Sequence, residues 1–372
     1  MALLILQKLE SFSDRKVVKE VKRNRYMQYF CQISDEELAT FMHHSTLSKV
    51  RSRLGVSGVE MIEEACFQVL KKSRVIETED ALIDSTVQNS CIIYPNDVLL
   101  VNKAFRKMTL IAKNHGRALW WDNTALKKQW RQYNLDRKTP LKEWLQIFYE
   151  LFKPAFSEFK FIFAENEPIL SNILDVLSKQ TAQKISGEIH IENRLVSLDD
   201  VDARPIKKGK KHPTCEFGTT LQMVFNRQGF LLQTENFLGH PGDSTLYQGT
   251  LLKLRKRLRK SPQTTVTDKG FRSQKNLQFT LKGMKHIFQG KSSDVTVEQR
   301  DFCKSARSAT EGFIAVAKNL RGFRQSRYRG LDGHRQWTVL CQVAYNLKKF
   351  HLLVELDLID EKVWDKLRHH AR

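Results

Sequence analysis

Long apolar runs are missing from this 372-residue chain. None approaches the roughly 18–20 residues that a membrane span needs, and the apolar start Ala2–Leu6 is cut short by Gln7 and Lys8. A charged leader with a small-residue cleavage site is also missing, so no secretory signal and no membrane partner are expected. The six cysteines (Cys31, Cys66, Cys91, Cys215, Cys303, Cys341) stand far apart, with no Cys-x2-Cys pair. That spacing suits a reducing cytosol and argues against a disulfide scaffold or a zinc site. The pairs His43-His44 and His369-His370 are poor metal ligands, because adjacent helix residues point to different faces. No internal repeat or low-complexity stretch is evident.

What is present is basic charge on a folding composition. Lys and Arg number 62 against 41 Asp and Glu, a net charge of +21, with 41% hydrophobic and 10% aromatic residues. This is the profile of a folded, intracellular polyanion binder rather than a disordered basic tail. The excess is uneven. Residues 181–372 hold 35 basic and 19 acidic side chains, whereas the first 180 hold 27 and 22. The partner surface is therefore expected mostly in the second half.

Residues 1–75 read as helices. Ser11-Phe-Ser-Asp14 and Ser34-Asp-Glu-Glu37 have the look of N-caps. A third start at Ser45 leads into a basic helix, with Lys49 and Arg51, that Gly55 stops. Helix, turn and basic helix suit either a DNA-reading helix-turn-helix or an ordinary helical hairpin with a solvated basic face. Residues 76–184 read as a helical linker or dimerisation region, and Trp120, Trp121, Trp130 and Trp144 within it as core. After about residue 185 the period shortens. Glu188–Leu198, Cys215–Phe225, Gly229–Phe237, Thr264–Thr267 and Met284–Phe288 are strand candidates, with a helix from Gly242 to Lys260 and helices from Val295 onward. The alternation predicts an α/β sheet domain over 185–350 and a C-terminal helix over 351–372.

In so basic a half, acids at strand ends stand out as ligands for hard divalent cations. Asp199, Asp200 and Asp202 follow one predicted strand, and Asp268 closes another. Asp is also common in turns, so each is equally readable as structural. On the helix around Glu311, residues Arg307, Glu311 and Lys318 fall within about 40° of one another at 100° per residue. Phe302, Ala306, Ala309, Phe313, Val316, Ala317 and Leu320 form the predicted packing face. By itself such a stripe is also what a solvated ion pair looks like.

The order Asp202, Asp268, Glu311, with Arg307-x3-Glu311-x6-Lys318, resembles the catalytic triad of bacterial insertion-sequence DDE transposases and the last three positions of their Tyr-Arg-Glu-Lys signature. The tyrosine position is Lys304, a departure. Leu195–Gly209, Gly239-His-Pro-Gly-Asp-Ser244, Val266–Phe271, Arg327–Gly333 and Ala344–Leu347 resemble further blocks of the same family, as does His44–Arg51 near the start. The resemblance implies an RNase H-like mixed-sheet catalytic domain, an all-α N-terminal DNA-binding region and C-terminal helices. It implies two Mg²⁺ ions, with Mn²⁺ as a substitute, held by Asp202, Asp268 and Glu311. Of the three neighbouring acids, Asp202 is preferred because the Asp-Ala-Arg-Pro-Ile block begins there. It implies further that Arg307 and Lys318 contact DNA near the scissile phosphate, and that Lys207, Lys208, Lys210, Lys211, Lys253, Arg255, Arg257, Arg327 and Arg329 track the backbone, while Lys49 and Arg51 belong to the end-reading helices. For the Lys253–Lys260 run a solvated helix face is the rival reading. The expected activity is cleavage at transposon terminal inverted repeats and transfer of the 3′ ends to target DNA by a homodimer, in the bacterial cytoplasm on the nucleoid. Met1 is expected to be a late start or a truncation, so a catalytically inactive DNA-binding derivative is one alternative, and an RNase H-like nuclease is another.

Overall fold

The computed structural model describes residues 1–136, 138–207, 209, 214–279, 284–288 and 296–370. They form two compact units, one made of Met1–Asn89 with Thr219–Arg372 and the other of Ser90–Gly218. The boundaries expected near 75 and 184 do not coincide with either junction.

The first unit opens with helices α1 (Ala2–Leu9), α2 (Asp14–Val21), α3 (Arg25–Cys31), α4 (Asp35–Ala39) and α5 (Ser45–Lys72). Ser13 caps α2 by accepting the Lys16 N–H, Asn24 caps α3, and Ser34 with Glu37 closes a capping box on α4. At Gly55 the backbone leaves the helix (φ 61°, ψ −169°), and α5 resumes beyond this kink. Such a conformation needs a residue without Cβ. Leu3, Leu4, Leu6, Val17, Val18, Val21, Leu47 and Val59 bury one face of α1, α2 and α5 around a common core.

Residues Asp80–Ser90, expected in a helical region, are instead a strand, β1. Its residues 81–83 and 85–88 are all buried, on both faces. A strand covered on both sides loses the alternation by which strands are read.

The second unit is a helical body of α6 (Asp97–Asn114), α7 (Asn123–Leu135), α8 (Leu141–Phe163) and α9 (Pro168–Ser186). Phe105, Phe148, Phe152, Phe159 and Trp144 fill its core, and Trp120, Trp121 and Trp130 pack against it, as the aromatic spacing suggested. The strand expected over Glu188–Leu198 does not form. Leu195 donates its N–H to Gln180 Oε1 (2.8 Å) and accepts from Gln180 Nε2 (3.0 Å), so a helical side chain does what a neighbouring strand would. A short β2 (Arg204–Ile206) pairs antiparallel with Glu216–Gly218, the start of β3 (Glu216–Phe225).

The sheet of the first unit continues through β4 (Leu231–Phe237), β5 (Thr264–Thr267), β6 (Lys285–Phe288) and β7 (Gln325–Ser326). Strand order is β4-β3-β1-β5-β6, with β7 on β1. β3 and β4 are antiparallel, whereas β1, β5 and β6 run parallel. Helix α10 (Asp243–Leu258) covers one face, its Tyr247, Leu251 and Leu254 packing with Ala81, Ile83 and Leu232. After the short α11 (Gln274–Gln278), helices α12 (Val297–Leu320) and α13 (Gly330–Glu355) cover the other face, where Ala306, Ala317, Trp337 and Cys341 meet Leu82, Met223 and Val266. Helix α14 (Glu361–His370) follows.

Candidate active site

Two carboxylates are aligned by the sheet itself. The parallel register pairs Leu82 with Val266 and Ile83 with Thr267. One step further brings Asp84 beside Asp268, on strands that lie about 4.8 Å apart. Side chains alternate along a strand, so Asp84 shares a face with Leu82, and Asp268 with Val266. Leu82 and Val266 both belong to the core under α12 and α13, so both carboxylates lie on that side of the sheet. Asp84 is half-buried and its Oδ1 accepts the Ser85 N–H (2.7 Å). Asp268 caps the 3₁₀ turn Lys269–Phe271, its Oδ1 accepting from Gly270 N–H (2.8 Å).

Helix α12 packs on the same face of the sheet and carries Glu311. Its buried residues are Cys303, Ala306, Thr310 and Ala317, while Val316 and Leu320, expected to pack, are exposed. At 100° per residue the Arg307–Glu311–Lys318 stripe is then offset by only about 40–80° from Cys303, flanking the packed face rather than opposing it. Lys318 consequently reaches the sheet, donating to Thr86 Oγ1 (3.1 Å) two residues beyond Asp84 on the same strand face. Glu311 is 60% exposed and pairs with Arg307 Nε (3.0 Å).

A fourth acid stands at the same turn. Asp243 opens α10, and a Cβ built on Gly270 would meet Asp268 Oδ1 at 3.2 Å and Asp243 Oδ2 at 3.3 Å. Asp243 Oδ1 is buried without a hydrogen-bond partner. The donor chemistry is all carboxylate oxygen, which suits hard divalent cations. Among the described residues, however, no three His, Cys, Asp or Glu side chains are drawn together as a preformed metal site. Glu311 would have to turn from Arg307 to join the aspartates.

The remaining expected site residues scatter. Asp202 lies in the second unit, in a turn before β2 rather than at a strand end, while Asp268 and Glu311 belong to the first. Asp199 is paired with Lys103 and, at 3.4 Å, with Lys107, and Asp200 is buried. Lys207 is exposed; Lys208, Lys210 and Lys211 lie outside the described residues. Lys253 and Arg255 are exposed, the former paired with Glu235, and Arg327, Arg329 and Lys49 are exposed as well. Two cations turn inward instead. Arg257 grips Glu63 through both oxygens (2.7 and 2.8 Å) and lies over the Phe67 ring, and Arg51 grips Asp14 (2.9 and 2.7 Å) against Tyr328. Both are thereby withdrawn from a DNA-facing role. Asp84, not among the residues expected from the sequence, is the acid that the register brings beside Asp268. Its local pattern, Ala81-Leu-Ile-Asp84, is like Thr265-Val-Thr-Asp268 in placing an Asp after three small or strand-compatible residues, but nothing in that pattern makes the two strands neighbours.

Comparison with known proteins adds the class. Residues 195–347 match the family described as "Transposase DDE domain", and residues 1–53 match "Transposase domain (DUF772)". Both families are described as transposase domains, and the two matches lie in separate parts of the chain. The DDE match takes in Asp202, Asp268 and Glu311 and begins after β1. A DDE domain implies, in general, a metal-dependent DNA-cleaving enzyme. The chain also resembles a Rhizobium meliloti protein described as "Uncharacterized protein ORF8 in nfe locus", with 30% identity over 127 residues. That stretch covers 33% of this chain and 61% of the relative. No solved structure matches significantly. Among the described residues no helix is long and apolar enough to cross a membrane.

Proposed function

We propose that the protein is a DNA transposase that cleaves the ends of an insertion sequence and transfers the 3′ ends to target DNA, through an RNase H-like domain whose acids are Asp84, Asp268 and Glu311. The observation that carries this reading is the β1–β5 register, which sets Asp84 beside Asp268 on the face that α12 covers. Support for the RNase H-like assignment comes from the mixed sheet, an antiparallel β3–β4 pair beside three parallel strands. Asp84 takes the place expected for Asp202. The helical second unit is then an insertion after the first catalytic strand.

Two Mg²⁺ or Mn²⁺ ions bound by these carboxylates would supply the activation of the attacking hydroxyl and the stabilisation of the leaving oxygen at phosphorus. The chain's own groups do the rest. Asp84 and Asp268 are fixed by backbone N–H groups, so their orientation is set before DNA arrives. Lys318, tied to Thr86, and Arg307, beside Glu311, place cationic charge where a phosphate would sit, and arginine can grip it bidentately. Exposed Lys207, Lys253, Arg255, Arg327, Arg329 and Lys49 supply contacts to the duplex backbone, which set affinity more than sequence preference. Holding two element ends calls for a homodimer on double-stranded DNA.

The decisive comparison is Asp84→Ala against Asp202→Ala, assayed for Mg²⁺- or Mn²⁺-dependent cleavage of a duplex carrying the DNA that flanks the reading frame. Asp84→Ala, Asp268→Ala and Glu311→Ala should each cut activity about a thousandfold or more, as loss of a single catalytic group commonly does. Asp202→Ala should retain activity. The reverse pattern would return the first-acid role to Asp202.

A further inference from the structure

Residues 15–25 carry six cations, Arg15, Lys16, Lys19, Lys22, Arg23 and Arg25, against the single acid Glu20. On α2 the buried face is Val17, Val18 and Val21. At 100° per residue Arg15, Lys19, Lys22 and Arg23 project within about 100° of one another away from it. The chain then turns at Asn24 into α3, and Gln28 donates to Val21 O (2.8 Å), locking the two helices together. On α3, Tyr26, Tyr29 and Phe30 share one face. Tyr26 and Tyr29 are each 87% exposed and Phe30 is 42% exposed. Among the described residues none of the three makes a ring–ring contact within the fold. Beside them, Tyr29, Phe30, Gln32, Ile33 and Ser34 line a groove of about 530 Å³, within the range of small-ligand sites.

Exposed aromatic rings next to a row of cations have a specific chemical use. Cations attract the phosphate backbone, and flat rings stack on bases. In a duplex each base face is already covered by its neighbours, so rings presented this way can stack only on unpaired bases. We infer that the α2–α3 corner binds single-stranded DNA, with Lys19, Lys22 and Arg23 on the phosphates and Tyr26 and Tyr29 stacked on unpaired bases. The inference rests on the reading of the chain as a DNA-processing enzyme. It adds a single-strand contact to the N-terminal helices, apart from the start of α5, where Lys49 is left to the duplex backbone and Arg51 is committed to Asp14. A second copy of this chain is the competing occupant of the aromatic face, and the row Arg15, Lys19, Lys22 and Arg23 opposes it, since two such rows would repel, whereas Arg25 is already paired with Asp35.

The test is binding of the full chain to a labelled oligothymidylate of about 16 nucleotides and to a duplex of equal length. Tyr26→Ala/Tyr29→Ala should weaken single-strand binding by about 10- to 100-fold and leave duplex binding within about twofold. Tyr26→Phe/Tyr29→Phe keeps the rings and should bind as the parent does, which separates lost stacking from lost folding. Unchanged single-strand affinity in the alanine variant, an equal loss on duplex, or a shift in sedimentation from dimer to monomer with DNA binding intact would each overturn the inference. Asp84→Ala serves as the independent arm. It is scored for Mg²⁺-dependent cleavage and the tyrosine variants for single-strand binding, so a failure of the active-site assignment and a failure of this surface are read separately.

Discussion

Burial pulls the Lys8 ammonium down to about 7 from its ordinary 10.5, because its charged form is denied water. Its Nζ has no hydrogen-bond partner and is lodged instead against the rings of Trp337 and Tyr328, with Arg51 and Arg327 opposing its charge. Between pH 7 and 10.5 the unfolded chain holds this proton more tightly than the native one, so stability should rise with pH across that window. The rise should show cleanly from pH 7 to about 8.5. Above pH 9 the Cys341 thiol, pushed up by burial to about 11, works in the opposite sense. Lys8→Met keeps the volume, removes the charge and should flatten the urea midpoint over pH 7–8.5. A midpoint that stays pH-dependent in the variant would assign the effect elsewhere. At Gly270 the space is already occupied by the Asp268 and Asp243 oxygens. Gly270→Ala should therefore impair cleavage much more than it changes the melting temperature, because the neighbour displaced is a proposed catalytic carboxylate.

Helix α12 shows how an element turns a stripe into a site. Its small buried residues, Cys303, Ala306 and Ala317, let it lie close to the sheet. Residues flanking that contact then reach the strands, which is why Lys318 finds Thr86. Helix α10 teaches the opposite lesson. Of its last basic cluster, Arg257 points into the fold, held by Glu63, Glu64 and the Phe67 ring, while Gln342 completes the Glu63 shell at 2.8 Å. Glu63 is 6% exposed, and desolvation pushes its carboxyl pKa up despite the arginine. Glu63→Ala would remove both short contacts of the buried Arg257 guanidinium and leave it only Glu64 at 3.3 Å, so it should cost about 3 kcal/mol of stability, read from denaturant unfolding. Exchanging exposed Arg255 for Ala on the same helix should leave stability within about 0.5 kcal/mol and lower DNA affinity instead.

At the scale of the whole molecule the charge of +21 remains the dominant electrostatic fact. Affinity for duplex DNA should fall steeply with salt. Contact with about 6–10 phosphates predicts a loss of about 10³–10⁵-fold between roughly 50 and 200 mM. A shallow slope would mean that the basic second half does not track the backbone. Two units also make sense of a sequence whose middle reads as helical throughout. Residues 90–218 fold around their own aromatic core, and the sheet resumes after them.

Most elements were legible locally. The caps at Ser13 and Ser34, the break at Gly55, the β3–β4 hairpin, β5 ahead of Asp268 and the Arg307–Glu311–Lys318 stripe all follow from residue chemistry and period. Two things were not. The strand over Asp80–Ser90 lacks alternation because both its faces are buried, and burial on both faces is a property of its neighbours rather than of its own sequence. The partner of Asp268 was equally invisible, since a register between strands some 180 residues apart is fixed by packing the intervening elements, not by any local spacing. The sequence alone determined which chemistry was available, namely carboxylates amid cations. Only the tertiary structure decided which carboxylates stand side by side, because adjacency in a parallel sheet is created by the crossover between its strands.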